Sequence, residues 1–221
     1  MIAARSWSRQ EIADSLDYAI LKPTASIKDI VDGAIYATKH DLVSVCVASV
    51  NVEIAAEYHR NVSAVIGFPH GNTRPKIKMA EARQAIEDGA KELDVVINYG
   101  RFLDGDLAVL DADLTDLCTM AHKNYVIVKA ILETCYYTPS QIKTACRWCM
   151  MANVDYVKTS TGFGHGPATV EAVQTMLSVT KHTQVQIKAS GGIKCYADVA
   201  KFLNLGCGRI GASRFQELLD E

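Results

Sequence analysis

Short, almost wholly apolar runs alternate along this chain with longer segments in which apolar residues recur every three or four positions. The runs are SLDYAI (15–20), LVSVCV (42–47), VSAVIGF (62–68), ELDVVIN (92–98), YVIVKAIL (125–132), DYVKTS (155–160), VQIKAS (185–190) and CGRIGAS (207–213). Their length and composition are those of strands. The longer segments carry helix signals. Thr138 precedes Pro139 and Gln141, a cap with proline at the first helical position, and the stretch 73–89 closes on Gly89. Ile142, Ala145 and Cys149 form one apolar stripe in 138–151, and Val170, Val173 and Leu177 form another in 167–181.

Strands that are apolar throughout, rather than alternating with polar residues, require cover on both faces, which parallel strands obtain from crossover helices. Eight such units in 221 residues predict an α/β chain folded as a compact (β/α)8 TIM barrel, with a short helix ahead of the first strand. A doubly wound open sheet is the alternative. No linker, low-complexity tract or repeat beyond this alternation divides the sequence, so residues 1–221 are expected to form a single domain.

Composition narrows the function. Lysine and arginine total 23 against 25 acidic residues, which offers neither nucleic acid nor an anionic membrane a basic surface. No run of 18 apolar residues is present and the first residues lack a signal-peptide core, so a cytoplasmic address is expected. Seven cysteines, an odd number scattered through apolar segments, agree with a reducing compartment. Cys146 and Cys149 in CRWC have no second CxxC to complete a zinc site and fall in a helical pattern, where they read as packed thiols. The six histidines show no metal-ligand spacing, and His70 and His165 fall in loops after strands. GFGHGP departs from the G-x-G-x-x-G dinucleotide pattern.

The informative residues are charges inside strands. Lys129, Lys158 and Lys188 each interrupt an apolar run, as does Asp94. Burying a charge without a partner costs several kcal/mol or more, so such residues are paired or used. Period-two geometry turns Lys129 with Ile127 and Ile131, and Lys158 with Tyr156 and Ser160, to one face. All four charges then point into the barrel near the C-terminal ends of the strands, where barrel enzymes keep their chemistry. A lysine amine in an apolar pocket or beside another cation is driven toward its neutral, nucleophilic form. Schiff-base catalysis is the simplest use, although spacing alone does not choose the nucleophile; a purely structural Lys129–Asp94 ion pair is the alternative. Glycine-bearing turns after the last two strands make Gly191, Gly192, Gly211 and Ser213 candidates for a phosphate group.

LDYAILKP, VCV, GFPHG, ELDVVIN, VKAILET, YVKTSTGFG, IKASGGI and RIGAS occur in this order from about Leu16 to Ala212. Together they resemble deoxyribose-phosphate aldolases. The resemblance implies a metal-free, cofactor-independent class I aldolase on a TIM barrel that cleaves 2-deoxy-D-ribose 5-phosphate, a phosphorylated small molecule, and it suggests a homodimer. It places the Schiff-base lysine at Lys158, the acid/base aspartate at Asp94 and the second, amine-activating lysine at Lys188. It lines the substrate pocket with Asp17, Cys46, Lys129 and Thr161, and assigns the phosphate to Gly162, Gly191, Gly192, Gly211 and Ser213. Three features depart from the family pattern. Tyr18 and Ala19 stand where LDHTLLKP is usual, which leaves Asp17 without a neighbouring histidine and threonine hydroxyl. Arg214 replaces a second serine, and the chain ends at LLDE, without the tyrosine-terminated tail of some members.

Overall fold

In the computed structural model, residues 5–214 are described, apart from the side chains of 107–113. The strands are β1 (Leu16–Ile20), β2 (Ser44–Ala48), β3 (Val62–Ile66), β4 (Glu92–Val96), β5 (Ile127–Ile131), β6 (Tyr156–Lys158), β7 (Gln186–Ser190) and β8 (Arg209–Ala212). All pair in parallel with their sequence neighbours, and β8 returns to β1 through Asp17 opposite Gly211, closing an eight-stranded barrel. Each of the eight apolar runs contributes one strand, and the open-sheet alternative is excluded.

Helices cover the outside. They include α1 (Arg9–Ala13), α2 (Ile27–Lys39), α3 (Val52–Ala56), α4 (Pro75–Glu87), α5 (Tyr99–Leu103), α6 (Leu107–Lys123), α7 (Pro139–Met151), α8 (Val170–Thr180) and α9 (Tyr196–Leu205). The Thr138–Gln141 capping box opens α7 as the sequence predicts, and Gly89 follows α4 with φ +109°. The buried face of α7 holds Ile142, Ala145 and Cys149, together with Cys146 and Trp148. Cys146 and Cys149 are buried, unpaired thiols. In α8 the inward face consists of Ala172, Val173, Met176 and Thr180, whereas Val170 is largely exposed. Of the expected stripe, Val173 is buried and Leu177 packs partly buried against the core, and only Val170, the first residue after the Thr169 cap, faces outward. The LLDE segment lies outside the described residues.

Why the strands read as apolar becomes clear from their two faces. Outward residues such as Val45, Val47, Ala64, Leu93, Val95, Val128, Ala130, Val157, Ile187 and Ile210 join the hydrophobic core beneath the helices. Inward residues are mostly polar: Ser63, Glu92, Asp94, Lys129, Lys158, Lys188 and Arg209 are all buried in the barrel. The usual filling of such a barrel is bulky and branched. Here charge fills it, and charge must be balanced.

Candidate active site

The interior charges form a closed ring. Asp94 on β4 accepts a hydrogen bond from Lys188 on β7 at 2.8 Å, and Lys188 also donates to Asp17 on β1. Asp17 pairs with Arg209 on β8 at 2.6 Å, and Arg209 with Glu92 on β4 at 2.9 Å. Glu92 pairs with Lys129 on β5, which returns to Asp94 at 2.7 Å. Three carboxylates alternate with three cations, so the ring is neutral by itself. Lys129 also lies 3.4 Å from Asp17 and donates to Ser63 Oγ at 3.0 Å, which in turn donates to Asp94 Oδ1 at 2.9 Å.

Lys158 is the charge left over. Its Nζ meets Asp94 Oδ2 at 2.6 Å, the oxygen that also receives Lys188, and no other carboxylate pairs with it among the described residues. Burial, the largest influence, pushes its amine below the ordinary lysine value; the pull of Asp94 acts the other way and the nearby Lys188 ammonium adds to the depression. Burial also opposes the charge on Lys129 and Lys188, but Asp17 and Asp94 outweigh it, with Glu92 aiding at Lys129, and both amines are raised. For Asp94 the same opposition from burial is overcome by Lys129, Lys158 and Lys188, which hold its carboxyl well below the usual range. Asp17 is likewise held low against burial by Lys129, Lys188 and Arg209.

Lys158 and Lys188 reach a cavity of about 140 Å³ at the C-terminal mouth of the barrel. Asp17, Cys46, Thr161, Gly162, Gly191, Gly192, Gly211 and Ser213 line it too. Lys129 does not; it lies fully buried beneath, inside the ring. Neither His70 nor His165 lines the cavity. A larger space of about 590 Å³ adjoins it, sharing Ala19, Leu21, Thr161, Gly162 and Ser213. Tyr18 turns away from Asp17 into that space, its ring 6.0 Å from Tyr36, while Ala19 sits between the two spaces. Asp17 is instead satisfied by the ring, and Arg214 is exposed.

The loops at the rim are stitched to each other. Thr159 Oγ1 donates to Ser190 O at 3.0 Å and Ser190 Oγ to Ser160 O at 2.6 Å, joining the segments after β6 and β7. Gly191 and Gly192 follow with φ +91° and +76°, a conformation costly for other residues, and a Cβ on Gly192 would lie 2.6 Å from Pro167 Cβ. Consecutive backbone groups in such a turn form a concave surface suited to an anion.

Sequence reading missed three residues of this construction. Glu92 and Arg209 are charges inside strand runs, the signal that found the lysines, but they stand near the starts of β4 and β8 where they pass for the rim. Glu133, buried just after β5 with φ +56°, accepts from the backbone N–H of Thr161 at 3.1 Å and from the Thr161 hydroxyl, fixing the turn that carries Gly162 to the cavity. No periodicity marks it.

A parallel barrel with a depressed lysine at a glycine-rimmed mouth has the construction of an imine-forming enzyme. Residues 10–213 match the family model described as DeoC/LacD family aldolase. A deoxyribose-phosphate aldolase of Thermococcus gammatolerans is 41% identical over 209 residues, covering 92% of each chain. The solved structure of QR15, an aldolase, superposes with TM-score 0.88 at 32% identity, covering 99% of this chain and 95% of that one. A tetrameric deoxyribose phosphate aldolase of Aeropyrum pernix gives TM-score 0.88 at 26% identity, covering 96% and 91%. The chain belongs to the DeoC/LacD aldolase family.

Proposed function

We propose that this aldolase cleaves 2-deoxy-D-ribose 5-phosphate reversibly to acetaldehyde and D-glyceraldehyde 3-phosphate, through an imine on Lys158. The observation that carries the reading is that, of the two lysines at the cavity, Lys188 is held between two carboxylates whereas Lys158 meets Asp94 alone, an arrangement in which burial lowers its amine toward the neutral form.

The neutral Lys158 amine adds to C1 of the open-chain sugar phosphate, and loss of water gives an iminium. The C3 hydroxyl then gives up its proton, the C2–C3 bond breaks, and its electron pair neutralises the iminium as an enamine. Glyceraldehyde 3-phosphate leaves with C3 as its aldehyde carbon. A proton returned to C2 and hydrolysis of the resulting iminium release acetaldehyde and restore Lys158. Asp94 and Lys188 handle the protons. Asp94 Oδ2 lies within 2.8 Å of both amines, so a proton crosses between them over one oxygen, directly or through a water at the reacting carbon. Because Asp94 is held far below the usual carboxyl range, it passes the proton on without resting protonated, and the raised Lys188 is its store. The turns at Gly162, Gly191, Gly192, Gly211 and Ser213 receive the phosphate, while Asp17, Cys46 and Thr161 shape the pocket floor and wall.

Borohydride reduction during incubation with 2-deoxy-D-ribose 5-phosphate, followed by peptide mass mapping, tests the assignment. A reduced adduct on Lys158 is expected; an adduct confined to Lys129 or Lys188 overturns it. A homodimer in the cytoplasm completes the proposal. The tetrameric relative supports self-association, and seven unpaired cysteines support a reducing compartment. No helix among the described residues is long and apolar enough to cross a membrane.

A further inference from the structure

The buried pair Arg209–Glu92 touches no part of the reaction cavity, yet it closes the ring. Removing either member changes the ring's net charge while leaving Lys158 and its Asp94 contact in place. We propose that Arg209 and Glu92 are positioning residues that set, in opposite senses, whether Lys158 carries a proton. Arg209 brings the ring to neutrality, so that a proton on Lys158 is an uncompensated charge inside the barrel. Glu92 holds Arg209 and Lys129 and limits the positive potential they exert on Lys158.

The groups facing Lys158 set the sign of the effect. Asp94 on β4 and Lys188 on β7 are in contact with it or with its acceptor oxygen. Cys46 on β2 is driven by burial toward its neutral thiol, and Tyr156, on the lysine's own strand, is raised mainly by burial and stays neutral. Asp17 and Lys129 belong to the ring, and Glu133 beyond β5 is engaged with Thr161. With Arg209 replaced by methionine the ring carries one net negative charge, and protonation of Lys158 cancels it. With Glu92 replaced by glutamine the ring carries one net positive charge, and protonation becomes still less favourable.

The test reads the amine itself, and although it deepens the imine chemistry proposed above it does not use the sugar. Trace labelling with acetic anhydride across a pH series, with exposed Lys91 as internal standard, gives the pH midpoint of Lys158 reactivity from peptide masses. The midpoint is expected to rise by about one pH unit in Arg209→Met, a labelling rate roughly ten-fold lower at neutral pH. It is expected to fall by a similar amount in Glu92→Gln and to return close to the parent value in the double variant. Arg209→Lys, which keeps the charge, should leave the midpoint in place even if it costs stability. Shifts of the same sign in both single variants, or none in either, overturn the proposal, since the proton would then reside on a ring carboxylate. Opposed shifts without any borohydride-trapped sugar adduct would remove the proposed substrate and leave the tuning pair standing. A trapped adduct without opposed shifts would remove the tuning pair alone.

Discussion

Two lysines of similar burial should behave oppositely when each is replaced by methionine. Lys129 is a member of the ring: its Nζ lies 2.7 Å from Asp94, 3.4 Å from Asp17 and against Glu92, with Ser63 Oγ at 3.0 Å. Lys129→Met leaves those three carboxylates short of a cation, and removing one partner of a buried ion pair costs about 3–5 kcal/mol. For a chain of this size each kcal/mol moves the Tm by about 2–4 °C, so a fall of roughly 10 °C is expected. Lys158 has one carboxylate partner, and Asp94 keeps Lys129 and Lys188 when it is lost. Lys158→Met fills the space with an apolar side chain and leaves the ring neutral, so stability should stay within about 1 kcal/mol of the parent or rise. The pH dependence gives a second signature. A lysine depressed in the folded state binds its proton more readily in the unfolded chain, and therefore lowers stability at neutral pH. The gain from Lys158→Met should be largest there and should fade as pH rises from the lowered value toward the ordinary lysine value near ~10.4, where it is nearly gone. Urea unfolding followed by far-UV circular dichroism between neutral pH and the lysine range measures both variants. A loss in Lys158→Met as large as that in Lys129→Met would falsify the reasoning, because it would make Lys158 a structural member of the ring.

Three further outcomes follow from the same geometry. Asp17 and Asp94 are held below the ordinary carboxyl range, so their stabilisation is complete above about pH 4 and is lost as pH falls through their lowered values; acid titration of the circular dichroism signal should show unfolding below that pH and a flatter profile in Asp94→Asn. Gly192→Ala places a side chain at φ +76° against Pro167, a strain of about 1–3 kcal/mol; steady-state kinetics should show a raised KM for deoxyribose 5-phosphate and little change for unphosphorylated deoxyribose. Glu133→Ala strands the Thr161 N–H and hydroxyl, at a cost of about 1–3 kcal/mol; both stability and kcat/KM should drop, with Glu133→Gln recovering much of each because its amide oxygen still accepts.

The barrel was legible from the sequence by itself because secondary structure follows periodicity: eight apolar runs at strand length, separated by helical stripes and marked by caps such as Thr138–Gln141, leave few other topologies. Lys158, Lys188 and Asp94 were also legible, since a charge inside an apolar run requires a partner or a use, and the motifs around them carried the resemblance. Only the tertiary structure decided which charges meet. Lys129 and Lys158 look alike along the chain, yet register puts Lys158 at the cavity and Lys129 beneath it, and closure of the barrel brings Arg209 of the last strand to Asp17 of the first and to Glu92 of the fourth. Electrostatic energy depends on distances and burial in space, so residues more than a hundred positions apart fix the state of one amine, and no local pattern of sequence records that sum.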